Sequence, residues 1–297
     1  ISILKEHNQE HVIKRLEALG DDAAKKLISQ VAMIDWKVVE SIKDKAEDKG
    51  DAKKIEPLAA VEINDIKNNK EKYTAKGVEA IKNGKVAAVL LAGGQGTRLG
   101  LDKPKGTLNV GVNKDLFLFG QLIHNLMDVV NQTGAWVPLY IMTSDKNNKD
   151  TVEFFEEHNY FGYDKDYVKF FIQSMVPSVD YNGKLYMEST DSLAMSPNGN
   201  GGWFLSLIAA GLDKDMQDKG VEYVNVFAVD NILQRIADPA FIGATILAGA
   251  ECGSKVVRKC EPEEKVGVMC RVNGHPSIIE YYEMSEELAN MRREDGE

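Results

Sequence analysis

The feature that most constrains this chain is an unbroken apolar run, Val86-Ala87-Ala88-Val89-Leu90-Leu91-Ala92, which gives way to glycines at Gly93, Gly94, Gly96 and Gly100. A run of this length, partly β-branched and without a polar face, reads as a strand buried on both sides. Such strands belong inside parallel sheets covered by helices. Glycine allows close backbone approach, so the amides that follow are free to face an anion or the edge of a base. Arg98, Lys103 and Lys105 come next, with Asp102 the single acid among them. A donor-lined turn carrying cations at the carboxyl end of a parallel strand is a place to hold phosphates. The plainer alternative is a glycine-rich turn with exposed cations.

Two phosphate motifs fail here. The dinucleotide fingerprint needs a glycine three residues after Gly96, where the chain has Leu99; a Walker A loop needs a lysine between Gly106 and Thr107, whereas Lys105 precedes both.

Downstream, strand and helix patterns alternate. Helices are expected over Leu116–Val130, Asn148–His158, Trp203–Leu212 and Pro239–Gly249. Strands are expected over Val137–Thr143, Val168–Gln173, Lys184–Glu188, Tyr223–Val229, Lys255–Val257, Gly267–Val272 and Ser277–Tyr281, the last two joined by an Asn273-Gly274 hairpin turn. The alternation implies an α/β fold with a largely parallel sheet and right-handed crossovers. Upstream, residues 1–46 read as two helices. Ile3, Leu4, Val12, Leu16 and Leu19 stripe the first, Gly20 breaks it, and Asp21 or Asp22 caps the next, striped by Leu27, Val31, Ile34 and Val38. From Glu47 to Lys85 a Lys- and acid-rich connector is expected, with short helices and turns at Gly50, Pro57 and Gly77.

A formal net charge of -10 argues against nucleic acid or an anionic membrane as partner, so any phosphate binding must be local to a few cations. No apolar stretch reaches the roughly 18 residues that span a bilayer. The first residues, ISILKEHNQEHVIKRL, are too charged for a signal peptide, and a cytoplasmic protein is expected. Cys252, Cys260 and Cys270 match no zinc spacing and read as buried, reduced thiols. His7 and His11, four apart, suit a metal only with a third ligand that is not evident; a solvated helix face is the simpler reading.

Three further positions carry chemistry. Asp230 closes the run YVNVFAVD, where a carboxylate would suit Mg²⁺ or, alternatively, an Asx turn or helix cap. Asn198-Gly199-Asn200-Gly201-Gly202 precedes an apolar helix and is either a plain loop or a set of backbone donors and acceptors for a base or sugar. Gln173, at a strand end, has an amide suited to a uracil edge, or simply faces water.

The glycine loop, L-A-G-G-x-G-T-R-L-G followed by P-K-G, resembles the signature of the sugar-nucleotide pyrophosphorylases, specifically the eukaryotic-type UDP-N-acetylglucosamine pyrophosphorylases. P-N-G-N-G-G-W resembles that family's P-D-G-N-G-G segment, and YIMTS, VDNIL, ADPAFIG, CGSKVV, VGVMCRVNG and IIEYYEMS look like further family segments in order, from about Leu91 to Glu287. The resemblance implies a Rossmann-like domain of the nucleotide-diphospho-sugar transferase type over residues 81–297, after an N-terminal helical segment over residues 1–80.

It also implies roles. Leu91, Gly93, Gly94 and Gly96 would hold the uridine nucleotide, with Gln173 and Gly199 facing uracil. Arg98 would lie on the departing pyrophosphate and Lys105 on the phosphates being transferred. Asn200, Gly267 and Glu280 would contact the sugar, and Asp230 would bind Mg²⁺. The implied reaction joins UTP and N-acetylglucosamine 1-phosphate into UDP-N-acetylglucosamine and pyrophosphate, with no protein nucleophile. Alternatives are the same chemistry on glucose or N-acetylgalactosamine 1-phosphate, or a non-catalytic uridine-nucleotide module. Asn198 stands for the family's usual Asp and Trp203 for its Tyr. The family pattern continues beyond Glu297 with a sugar-binding segment and a C-terminal domain, so this sequence is expected to be part of a longer protein.

Overall fold

In the computed structural model, residues 1–47, 54–96, 100 and 102–292 are described. Four helices open the chain: α1 (Ser2–Glu6), α2 (Glu10–Ala18), α3 (Asp21–Ala32) and α4 (Trp36–Glu47). The expected two helices are each split. Asn8 takes a left-handed conformation (φ 57°) that ends the first turn, and Gln9 behind it is wholly buried. Its Nε2 donates to His7 O and Gly183 O, and its Oε1 accepts from Leu185 N–H, contacts that no local periodicity encodes. Gly20 is itself the N-cap of α3, while Asp21 and Asp22 sit in its first turn, where acids favour the dipole. The splits also rotate the stripes: Leu4 and Val39 are buried where Ile3 and Val38 are exposed. His7 stacks on Trp36 at 4.1 Å and is half-buried, whereas His11, whose Nε2 lies 2.8 Å from Leu185 O, stays exposed as expected.

The connector contains β1 (Ile55–Pro57), α5 (Ile63–Asn68) and α6 (Lys70–Lys82). Pro57 is therefore in a strand and Gly77 in a helix interior, against the expected turns. Gly77 is explained by what lies over it: a side chain there would strike the Pro239 carbonyl of α11 (Pro239–Leu247), and one at Gly243 would strike the Tyr73 carbonyl. The two helices cross backbone on backbone.

The apolar run forms β2 (Val86–Leu91), an inner strand of a parallel sheet. After α7 (Leu118–Thr133) come β3 (Leu139–Thr143), α8 (Asn148–Glu157) and β4 (Val168–Ile172). The short β5 (Met175–Pro177) and β6 (Met195–Pro197) pair antiparallel; α9 (Trp203–Ala209), α10 (Leu212–Asp218) and β7 (Tyr223–Ala228) follow. The sheet order is β4-β3-β2-β7, all parallel. Alternate residues of β2 face opposite layers, as strand geometry requires. Ala88 and Leu90 pack with Phe119, Leu122 and Leu126 of α7. Ala87 and Val89 pack with Leu207 of α9 and Met216 of α10.

A second sheet, β1-β8-β9, contains β8 (Val268–Val272) and β9 (His275–Ile279), with the turn at Asn273-Gly274 as expected and β9 starting two residues early. The short helix α12 (Glu286–Ala289) follows. Residues 184–188 and 255–257 form no strand; the first makes only the isolated bridges Val179 to Leu185 and Met187 to Leu193. The expected helix over Trp203–Leu212 breaks at Gly211 (φ 72°). Cys270 is buried, but Cys252 and Cys260 are exposed, correcting the expectation for those two.

A separate apolar core joins Leu4, Val12, Leu27 and Val31 of the first helices to Leu185 and Leu193, on the arm that leads through β6 to Asn198. Among the described residues, no helix is long and apolar enough to cross a membrane.

Candidate functional site

Because β2, β3, β4 and β7 run parallel, their carboxyl ends share one rim, the place where open α/β sheets bind ligands. Each end contributes a segment identified in the sequence. β2 ends at Leu91, which is half-buried and paired with Met142 and Ala228. Beyond it, Gly93 lies against Gln173, so closely that a side chain would come within 2.6 Å of Gln173 Oε1, while Gly94 faces open space. Gly96 N–H donates to Lys103 O at 3.1 Å, and Gln95 bridges Pro104, so the loop doubles back toward Lys105. Arg98, Thr97, Leu99 and Leu101 lie outside the described residues.

The return places Lys105 opposite the end of β7. Its Nζ lies 2.6 Å from Asp230 Oδ1. The hinge is a 3₁₀ turn, Lys105–Thr107, whose Gly106 is pressed on the Phe119 ring with no room for a side chain. Lys105 keeps a quarter of its surface, whereas Asp230 is 63% exposed. An exposed pair of this kind adds roughly 0–1 kcal/mol to stability. Its location matters more than its strength.

At the end of β4, Gln173 is buried and its N–H donates to Thr143 O at 2.8 Å. The neighbouring Ser174 carbonyl accepts from Asn198 N–H at 3.0 Å, which ties the second glycine cluster to the same strand end. Gly199 follows with φ 75° and ψ −178°, a conformation essentially reserved for glycine. Asn200 then opens a single 3₁₀ turn, Asn200–Gly202, ahead of α9, and Gly202 is packed on the Asn198 side chain. Trp203 packs, as Leu91 does, against the core formed by Ala87, Val89, Leu207 and Met216. The structure thus brings Gly93, Gln173 and Gly199 into one connected group, and Lys105 and Asp230 into another on the same rim.

Gly267 and Glu280 meet each other, since a side chain at Gly267 would lie 3.3 Å from Glu280 Oε2. They flank β8 and β9 at one end of the second sheet, and no hydrogen bond or ion pair among the described residues joins them to the rim. Among the described residues no cluster of three or more His, Cys, Asp or Glu could cage a metal. A lone exposed carboxylate, with only Oδ1 of Asp230 engaged by Lys105, still fits Mg²⁺ completed by phosphate oxygens and water.

One rim residue went unread in the sequence. Asn147, between β3 and α8, is fully buried against the glycine loop. Ahead of a helix, its type signals a cap and nothing more.

A profile of the UTP–glucose-1-phosphate uridylyltransferase family matches residues 33–295. The UDP-N-acetylhexosamine pyrophosphorylase-like protein 1 of Mus musculus is 38% identical, over 99% of this chain and 62% of its own. The UDP-N-acetylglucosamine pyrophosphorylase of Saccharomyces cerevisiae is 37% identical over the same shares, 99% and 62%. The crystal structure of the uridine diphosphate N-acetylglucosamine pyrophosphorylase of Trypanosoma brucei in complex with an inhibitor superposes with a TM-score of 0.83 at 30% identity, covering 99% of this chain and 62% of that one. The chain spans about three-fifths of the length of these relatives.

Proposed function

The chain belongs to the UTP–glucose-1-phosphate uridylyltransferase family, and on that footing we propose that it serves the reaction of a UDP-N-acetylglucosamine pyrophosphorylase. A phosphate oxygen of N-acetylglucosamine 1-phosphate attacks the α-phosphorus of UTP. The bond from that phosphorus to the β-phosphate oxygen breaks, and pyrophosphate leaves with the electron pair. UDP-N-acetylglucosamine is the product. The reactants are soluble anions, and the proposed compartment is the cytoplasm.

Both reactants are negative, so repulsion is a main part of the barrier. One unit-charge pair at about 4 Å costs roughly 4 kcal/mol at an effective dielectric of about 20. The observation that carries the reading is Lys105 held 2.6 Å from Asp230 at the sheet rim, beside a glycine loop whose Gly93, Gly94 and Gln95 amides make no hydrogen bond to any described residue. Lys105 would offset charge on the transferred phosphates, and Arg98 would act on the departing pyrophosphate. Leu91, Gly93, Gly94, Gly96, Gln173 and Gly199 would hold the uridine end, and Asn200, Gly267 and Glu280 the sugar. Asp230 would hold Mg²⁺, which when bound supplies charge neutralisation at the phosphates. Positioning supplies the remainder, as the chemistry needs no protein nucleophile.

The test is pyrophosphate release from UTP with N-acetylglucosamine, N-acetylgalactosamine and glucose 1-phosphates side by side, together with UTP calorimetry. Fastest release with N-acetylglucosamine 1-phosphate is expected. A strong preference for glucose 1-phosphate would overturn the sugar assignment, and UTP binding without release from any sugar would leave a nucleotide-binding module.

A further inference from the structure

Asn147 occupies the N-cap position of α8 but does not cap the helix. Its Oδ1 accepts from Ser144 N–H at 2.7 Å, and its Nδ2 donates to Ala92 O at 2.9 Å and Gly94 O at 3.3 Å. These partners also fix the amide's orientation, because a peptide N–H requires the oxygen and two carbonyls require the nitrogen. The side chain therefore forgoes the ordinary capping bond, worth about 1 kcal/mol, to grip the glycine loop from behind.

The grip has a directional consequence. In a trans peptide the carbonyl and the next N–H point opposite ways. Turning the carbonyls of Ala92 and Gly94 onto Asn147 sends the N–H groups of Gly93 and Gln95 away from it. The amides of Gly93, Gly94 and Gln95 make no hydrogen bond to any described residue. The same β3–α8 turn braces Gln173, whose N–H donates to Thr143 O, while Thr143 Oγ1 donates to Asn148 Oδ1 at 2.7 Å. A single turn, with Ser144 and Asn147 buried behind the rim, thus orients both the loop and the glutamine that would meet the nucleotide.

We propose that Asn147 is a positioning residue for nucleotide binding: by holding the carbonyls of Ala92 and Gly94, it sets the direction of the glycine-loop amides. This rests on the nucleotide reading of the rim. The test uses Asn147→Leu, nearly isosteric but without donor or acceptor, and Asn147→Asp, which keeps the acceptor and loses the donor. Leu126→Ala serves as a control that weakens the core of α7 and takes no part in the hydrogen bonds of Asn147.

UTP affinity, measured by calorimetry below each protein's melting range, is expected to fall at least about tenfold in both Asn147 variants, what one misdirected hydrogen bond is worth. It should stay within about twofold in Leu126→Ala, although that change lowers the melting temperature. Crystal structures of the Asn147 variants should show the 92–93 and 94–95 peptide planes rotated. Unchanged planes, or unchanged affinity in folded variants, would overturn the positioning role. Wild-type protein that fails to bind UTP while the variant planes still rotate would instead remove the nucleotide reading and leave Asn147 as the loop's orienting residue.

Discussion

Lys105 and Asp230 meet through Nζ and Oδ1 at 2.6 Å although 125 residues separate them in the chain. The glycine loop and β7 must both be in place before the two approach. Lys105→Met is therefore expected to change catalysis far more than stability. Pyrophosphate release should drop on the order of 10²–10³-fold if the ammonium contacts developing charge, with a melting temperature close to wild type because Asp230 is largely exposed and needs no partner to stay solvated. Near-normal release would remove Lys105 from the mechanism.

Gly93→Ala separates binding from folding in the same way. The added methyl would meet Gln173 Oε1 at 2.6 Å, and the far end of that side chain can shift without moving backbone. The expected result is a loss of UTP affinity of about tenfold or more, as the displaced amide no longer faces the base, with thermal stability altered by less than about 1 kcal/mol. Unchanged affinity, read by calorimetry, would place Gln173 outside the uridine site.

At Gly77 two effects oppose each other. Alanine is favoured over glycine inside a helix by about 1 kcal/mol. Its methyl would, however, strike the Pro239 carbonyl, and rigid backbone cannot yield as a side chain does. Overpacking typically costs about 1–3 kcal/mol, occasionally more. Gly77→Ala should therefore lower the denaturant midpoint, and a rise in it would show that α6 and α11 separate readily.

Alkaline pH should expose Tyr163. Burial is the chief cause that pushes its phenol far above the ordinary value, and its hydroxyl donates to Val137 O at 2.6 Å. The folded state thus holds the proton more tightly than the unfolded chain. The stabilisation is complete below the unfolded value of about 10 and is lost as pH rises beyond it. In Tyr163→Phe the decline of stability above about pH 10 should be shallower, although the variant starts lower for want of the hydrogen bond. An equal slope in the two proteins would assign alkaline unfolding to other groups.

The strands of the main sheet were legible because burial on both faces leaves only apolar residues: Val86 to Leu91 and Leu139 to Thr143 carry that signal in their composition. Helices with one face on that sheet, such as Leu118–Thr133, were legible for a related reason. What remained hidden depends on distant partners. Asn8 leaves the helix because Gln9 engages Gly183 and Leu185. Gly77 reads as a turn until Pro239 lies over it. In the site, Asp230, Gln173 and the first glycine cluster stood out as polar or glycine residues ending apolar runs, and the second glycine cluster as the entry to an apolar helix. Asn147 did not, because an asparagine before a helix has a local explanation that conceals its actual bonds to Ala92 and Gly94.

The junction of Gln9 with Leu185 spans 176 residues. During synthesis at about 5–20 residues per second, the opening helices must wait roughly ten to thirty-five seconds for the arm that buries Leu4, Val12 and Leu27. Throughout that interval their apolar stripe stands open to the cell's holding chaperones, and these helices reach their final place only after β2, β3 and β4 have been made.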